Sequence, residues 1–340
     1  MRIKSARTTT ALAAAAIFPL ALAGCGQQAQ GSADSGAEGI QVVTSTNVYG
    51  DIVTAVGGEH VEVTSIVNSL SQDPHSYEAT VQDKLAVSKA DLIVENGGGY
   101  DPFLHSLADE VDLDHEFIVS AVDVAGVIPE EESHGEDAHA EESHGEDANA
   151  EESHDEAHGH EGHDHGAFNE HVWYKLDAMA DLAGVVGEKL AALDPENAET
   201  YESNAASFAG ELDELLERAE SLTAVADGQA VAATEPVPAY LLEAAGLENR
   251  TPADYTEAIE EGADVPVAAL KEMKELVQGG SVALLAYNEQ TEGPQTQAVR
   301  SAADAASVPV VNFTETLPDG EDYVSWMSAN LDNIADVLNS

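Results

Sequence analysis

The sequence predicts an α/β protein whose parallel sheets are built from repeated strand–helix–strand units. Two observations support this class. Short apolar runs alternate with helical patterns on both sides of an acidic, histidine-dense tract at residues 130–165, and one long amphipathic pattern follows that tract. The chain has 340 residues, of which 43% are hydrophobic, and this is enough to form two cores. We therefore expect two α/β lobes joined by a single long helix.

Residues 1–24 have the features of a signal peptide. Basic residues at positions 2, 4 and 7 precede an apolar run at 11–23 that is too short to span a bilayer. The run ends in Leu22-Ala23-Gly24-Cys25, which resembles the lipobox of bacterial lipoproteins and implies cleavage before Cys25 and lipid attachment to its sulfur. An ordinary secretory peptide is the alternative, but it would leave an unpaired thiol in an oxidising compartment. Residues 25–39 then form a flexible tether.

The first folded segment shows a βαβ pattern. We predict strands at 40–45, 61–67, 91–95 and 116–120, separated by helices near 48–56, 80–89 and 102–110. In a parallel sheet of this kind the functional groups lie at the carboxyl ends of the strands. The glycines of Asn96-Gly97-Gly98-Gly99 lack the spacing and the lysine of a phosphate-binding loop, so we predict an ordinary turn there.

The tract at residues 130–165 contains 15 acidic residues and 8 histidines but no lysine or arginine. A ten-residue unit that begins at Glu131 recurs at Glu141 and, less regularly, at Glu151. With few apolar side chains to offset the entropy of ordering, this tract is predicted to be a disordered loop at 130–166. It could be a simple solvated linker, but its ligand density favours weak capture of several metal ions. The histidines expected to contribute are His134, His139, His144, His154, His158, His160, His163 and His165.

One long amphipathic helix is predicted after the tract. Asp194-Pro195 provides a cap with proline at the first helical position, and apolar residues recur at intervals of three and four from Tyr201 to Leu222. A helix of about 28 residues would be roughly 42 Å long. It could be one arm of a coiled-coil dimer, but a lone helix between two α/β halves favours packing along both. We place the first lobe at 40–193, the linking helix at 194–225 and the second lobe at 226–340.

The second lobe repeats the strand pattern of the first. Strands are predicted at 229–234, 282–287 and 308–313, and a C-terminal helix begins near Tyr323. The formal charge of the whole chain is −53, and about −38 would remain without the 15 acids of the tract. This charge argues against nucleic acid and anionic lipid surfaces as partners, and it suits either a cationic ligand or a saline habitat.

Several short motifs together resemble one known family. Asp73-Pro74-His75 follows the second strand, Asn169-Glu170-His171-Val172-Trp173 follows the histidine-rich tract, and Asn288-Glu289-Gln290-Thr291 follows a strand of the second half. In this order they resemble the zinc- and manganese-binding solute-binding proteins of metal-uptake ABC transporters, the ZnuA/TroA-like family. The resemblance covers nearly all of residues 40–340. It implies two βαβ-type lobes joined by one long rigid α-helix, with the metal site in the cleft between them.

The resemblance also implies a ligand set. Residues His75, His171, Glu235 and Glu315 occupy the ligand positions of the family. Zinc-binding members usually have histidine and manganese-binding members glutamate at the position of Glu235. Two further departures are Ala79, where the family usually has proline, and Tyr174-Lys175, where many members have Leu-Asp. We expect zinc as the bound metal, because the Irving–Williams order favours it over manganese, and manganese is the alternative.

The expected protein is an exported receptor, lipid-anchored to the outer face of the cytoplasmic membrane, that delivers its metal to an ABC permease and its ATPase subunit. We expect a monomer that is not an enzyme, because a closed set of four ligands leaves no position for an activated water. A zinc hydrolase with Glu235 as general base is the alternative enzyme, although no His-Glu-x-x-His helix or nucleophile elbow is present. A surface metal buffer or adhesin without a transporter is a third possibility.

Overall fold

The computed structural model describes residues 39–129, 168–260 and 262–340. The signal peptide, most of the tether with Cys25, and the histidines of the acidic tract therefore lie outside the described residues. Within those residues, none of the helices has both the length and the apolar character needed to cross a membrane.

The first lobe contains a four-stranded parallel sheet in the order β2-β1-β3-β4. Its strands are β1 (Ile40–Thr46), β2 (Val61–Val67), β3 (Leu92–Glu95) and β4 (Ile118–Ser120). Its helices are α1 (Asn47–Gly57), α2 (Val81–Val87), α3 (Pro102–Glu110) and α4 (Ala121–Ala125), and after the undescribed tract α5 (Leu176–Leu193). The predicted strands and helices of this half are all present.

The predicted turn at Asn96-Gly97-Gly98-Gly99 is also present. All three of its glycines have positive φ, between 67° and 97°. A Cβ on Gly97 would lie 2.6 Å from the hydroxyl of Ser120, so glycine is needed there for both space and backbone conformation. The turn carries Tyr100 and Asp101 to the carboxyl edge of the sheet.

The second lobe repeats this design with a parallel sheet in the order β6-β5-β7-β8. Its strands are β5 (Ala230–Ala233), β6 (Glu248–Asn249), β7 (Val282–Asn288) and β8 (Val310–Phe313). Its helices are α7 (Ala239–Ala244), α8 (Ala253–Glu260), α9 (Val267–Gln278), α10 (Pro294–Ala306) and α11 (Tyr323–Leu338). Strand β6, with only two residues, was too short for its pattern to be recognised in the sequence.

Helix α6 (Ala198–Ala226) joins the two lobes and is 29 residues long. The prediction that it starts at Pro195 was wrong by three residues. Asp194 instead ends α5, and its carboxylate accepts hydrogen bonds from Asn197 Nδ2 (2.6 Å) and Tyr201 Oη (2.9 Å). These bonds hold the short connection between the two helices, so the new helix begins only after Asn197.

The apolar face of α6 packs against helices of both lobes. It contacts α1 and α5 from the first half and α7 and α11 from the second. Its buried residues are Tyr201, Ala205, Phe208, Leu212, Leu215, Ala219 and Ala226. The face that could have formed one arm of a coiled-coil dimer is thus covered within this chain, and one continuous apolar core runs through both lobes.

Candidate metal centre

Four polar side chains meet where the carboxyl ends of the two sheets face each other. His75 lies on the loop after β2, and His171 lies directly before a 3₁₀ turn at Val172–Tyr174. Glu235 follows β5 and Glu315 follows β8. The first lobe therefore contributes two imidazoles and the second lobe two carboxylates.

Three of these residues bring ligand atoms close together. One ligand atom each from His75, His171 and Glu315 lies within 4.8 Å of the other two, and the Nε2 atom of His75 is 3.7 Å from Glu315 Oε2. His171 and Glu315 are each 1% exposed, whereas the His75 side chain is 23% exposed. The group is therefore buried on most sides and can be reached from the side of His75.

Glu235 stands outside this close group but is linked to it through one amide. Asn288 Nδ2 donates hydrogen bonds to both Glu235 Oε2 and Glu315 Oε1, each at 2.6 Å. Thr291 Oγ1 also donates to Glu235 Oε2, at 2.6 Å. Two buried carboxylates are thus held side by side by a shared donor, an arrangement suited to a divalent cation.

The second lobe fixes the orientation of His171 through Asn169. Its backbone N and its Nδ1 both contact Asn169 Oδ1, at 3.1 and 2.7 Å. Asn169 in turn donates from Nδ2 to the carbonyl of Pro236, and Tyr240 Oη donates to the carbonyl of Asn169. With the amide oxygen as acceptor, Nδ1 carries the proton and Nε2 is the nitrogen that can bind a metal.

Aromatic rings form one wall of the site. Tyr100 stacks edge-on against His75, with ring centroids 4.7 Å apart, and its hydroxyl donates to Glu315 Oε2 at 3.2 Å. Trp173 lies 5.1 Å from His171 in a T-shaped contact. Because these rings exclude water, the carboxylates beside them are difficult to ionise without a cation.

Burial leaves the acids of this cleft with raised pKa values. It raises the pKa of Glu235 to about 7, and burial together with the nearby charge of Glu235 raises that of Glu315. Two neighbouring acids, Glu170 and Glu260, also have pKa values raised to about 8 by burial. Among the described residues, no lysine or arginine forms an ion pair with Glu235, Glu260 or Glu315. The cleft therefore concentrates buried acids whose ionisation a bound cation would favour.

Sequence reasoning missed most of the residues that support these ligands. Tyr100 was not singled out, and Asn169 and Glu170 were noticed only as neighbours of His171 in a motif, although Glu170 Oε1 lies 3.4 Å from His75 Nδ1. Asn288 was noticed only as part of a turn. Asn169 and Glu170 lie next to the predicted ligand His171, Tyr100 follows strand β3, and Asn288 lies in strand β7. These positions were the one signal in the sequence, and a position in the sequence does not specify a contact.

Comparison with known proteins gives a family match over most of the chain. Residues 42–337 match the family described as zinc-uptake complex component A, periplasmic. The manganese-binding lipoprotein MntA of Halalkalibacterium halodurans is 30% identical over 202 residues, which cover 59% of this chain and 55% of that relative. The manganese ABC transporter substrate-binding lipoprotein PsaA of Streptococcus pneumoniae is 25% identical over 99% of this chain and 100% of its own.

The fold also matches solved structures. The periplasmic zinc-binding protein TroA of Treponema pallidum aligns with a TM-score of 0.64 at 18% identity, covering 87% of this chain and 98% of that one. At this identity the match concerns the fold alone, and it includes the two parallel-sheet lobes.

Proposed function

Because the chain belongs to the family of periplasmic zinc-uptake complex component A proteins, we propose that it binds one divalent transition metal between its lobes and delivers it to an ABC-type permease. As a member of this family, the chain is a substrate-binding receptor for metal uptake. The observation that carries the proposal is the meeting of His75, His171 and Glu315 within 4.8 Å at the junction of the lobes.

We propose that Glu235 completes the ligand set. Its buried carboxylate shares the amide donor of Asn288 with Glu315, so a cation that binds Glu315 lies beside Glu235 as well. A set of two imidazoles and two carboxylates leaves no position for an activated water. The protein would then bind and release metal without catalysing a reaction.

Zinc is the metal that we propose, with manganese as the second candidate. Two imidazoles favour zinc, and a mixed nitrogen and oxygen site binds zinc more tightly than manganese. The second carboxylate and the names of the manganese-binding relatives favour manganese. Elemental analysis of protein purified without added metal tests this choice, and manganese occupancy with zinc absent would overturn it.

Lipid anchoring, a monomeric state and docking to the permease are further parts of the proposal. The lipobox-like ending at Cys25 supports the anchor, and the names of the relatives include the word lipoprotein. The predicted histidine-rich loop at 130–166 ends only five residues before His171, so an ion held weakly there would be at high effective concentration beside the cleft. We therefore propose that the tract collects metal and passes it to the cleft.

Calorimetric titration tests the central part of this function. A variant that lacks residues 130–166 should still bind one metal ion tightly, and it should lose the additional weak equivalents of the full chain. The absence of a tight site would refute the receptor function. Hydrolase turnover by the zinc-loaded protein would favour the enzyme alternative instead.

A further inference from the structure

A second group of metal-ligand side chains lies on the first lobe and shares no residue with the site between the lobes. His105 and Asp109 are four residues apart on helix α3, so they lie on the same face of that helix. His115 opens a short 3₁₀ turn at His115–Phe117 after the chain has reversed, with Asp112 at a positive φ of 56°. One ligand atom from each of His105, Asp109 and His115 lies within 4.8 Å of the other two.

The contacts within this group suit a cation that exchanges with solvent. Asp109 Oδ1 lies 3.0 Å from His115 Nε2, and the rings of His105 and His115 have centroids 5.3 Å apart. The exposed fractions of the side chains are 39% for His105, 55% for Asp109 and 64% for His115. The three side chains can therefore be reached from water, unlike His171 and Glu315.

A buried carboxylate behind the group provides a second and independent observation. Glu95 ends strand β3 and is 4% exposed, and its Oε1 lies 3.0 Å from His105 Nδ1. Its Oε2 is buried and has no hydrogen-bond partner among the described residues. No lysine or arginine of the described residues forms an ion pair with Glu95. A buried carboxylate in this condition is costly unless positive charge is nearby.

The position of Glu95 matches what a metal-binding histidine requires of its other nitrogen. Such histidines commonly donate the N–H of the second ring nitrogen to a carboxylate, which fixes the tautomer and makes the ligand nitrogen more basic. With Glu95 as acceptor, Nδ1 of His105 carries the proton and Nε2 is the metal-binding atom. A cation bound to His105 would also place positive charge close to the carboxylate of Glu95.

We propose that His105, Asp109 and His115 form a second divalent-cation site, supported by Glu95, that takes borderline metals such as zinc. Two imidazoles and one carboxylate are ligands that zinc accepts, and water would complete the coordination. Because only three protein ligands are present and all are partly exposed, this site binds more weakly than the site between the lobes. It is an exchangeable site outside the transport cleft.

Histidine footprinting tests this proposal residue by residue. The full chain, including residues 130–166, is treated with diethyl pyrocarbonate with and without zinc, and modified peptides are quantified by mass spectrometry. Zinc should slow the modification of His105 and His115 by about tenfold or more, because a nitrogen held by metal cannot attack the reagent. His60, which packs edge-on against Tyr201, serves as the internal control and should not change.

Two matched variants of helix α3 test whether Asp109 is a metal ligand. Asp109→Asn should raise the zinc concentration needed to protect His105 and His115 by about tenfold or more, because a carboxylate ligand is lost. Glu110→Gln removes a neighbouring acid that pairs with Lys84 instead, and it should leave protection unchanged. Both acids are exposed, so neither variant disturbs the core.

Two results would overturn the second site. One is equal modification of His105 and His115 with and without zinc, which would mean that His115 and Asp109 form an ordinary ion pair and do not bind zinc. The other is full protection in Asp109→Asn at the zinc concentration that protects the wild type. His75 and His171 are measured in the same experiment. Failure of zinc to protect these two histidines would count against the proposed function and not against this site.

Discussion

Glu235 and Glu315 accept hydrogen bonds from one amide group, the Nδ2 of Asn288, each at 2.6 Å. The two carboxylates come from different strand ends, and burial raises the pKa of both. The shared amide thus holds the two carboxylates of the second lobe side by side.

Replacing Asn288 should destabilise the metal-free protein. Asn288→Ala removes the donor from two buried acceptors, which should lower the free energy of unfolding by about 1–3 kcal/mol. Asn312→Ala is the matched control, because Asn312 donates to the exposed Glu289 and should have little effect. Urea unfolding in the presence of a chelator measures the difference, and equal stabilities of the two variants would contradict the role given to Asn288.

Asn169 should affect metal affinity through His171. Its carboxamide oxygen contacts both the backbone N and the Nδ1 of His171, so Asn169→Ala frees the ring to rotate and to change tautomer. The loss of such a supporting contact typically weakens metal binding by about 10–100-fold. Competition with a chelator of known affinity provides the measurement, and Asn339→Ala, at the exposed C-terminus, is the control. Unchanged affinity in Asn169→Ala would show that the ring is oriented by other contacts.

The fold was easier to predict from the sequence than the site. Periodicity was sufficient for every strand of the two sheets except the two-residue β6, and for the buried stripe of α6, because it reflects which face of each element is covered. The start of α6 was misplaced because the side chain of Asp194 binds Asn197 and Tyr201 and was taken for a cap. The partners of the ligands could not be predicted, since Tyr100 and Glu315 are separated by 215 positions and meet only in the folded chain.

Metal-free protein should lose stability as the pH rises from about 4.5 towards 8. Burial raises the pKa of Glu170 and Glu260 to about 8, compared with an ordinary value of 4.5. In this window the folded state holds protons that the unfolded chain has lost. The contribution of protonated Glu170 and Glu260 to the stability of the folded state is therefore complete below about pH 4.5 and is lost as the pH rises through about 8.

Melting temperatures of chelator-treated protein between about pH 5 and pH 8.5 test this dependence. The double variant Glu170→Gln/Glu260→Gln should show a flatter profile than the wild type. Glu214→Gln, on the exposed face of α6, should keep the wild-type slope. A wild-type melting temperature that rises across this range, or a double variant with the same slope, would rule out the explanation.

Metal binding should release protons from the cleft. Burial raises the pKa of Glu235 to about 7, so this carboxyl is largely protonated below that pH and must ionise to bind a cation. Apparent affinity should fall as the pH falls below about 7. Calorimetry in buffers of different ionisation enthalpy counts the released protons. Glu235→Gln should release fewer than the exposed control Glu289→Gln, and equal release would exclude Glu235 as the source.

Metal titration of histidine variants tests the central claim most directly. The site between the lobes depends on His75 and His171, whereas His60 packs against Tyr201 and lies outside both ligand groups. With residues 130–166 deleted, His75→Ala and His171→Ala should each lose the single tight equivalent of zinc, and His60→Ala should retain it. Retention of tight binding in His75→Ala and His171→Ala would contradict a metal centre at the junction of the two lobes.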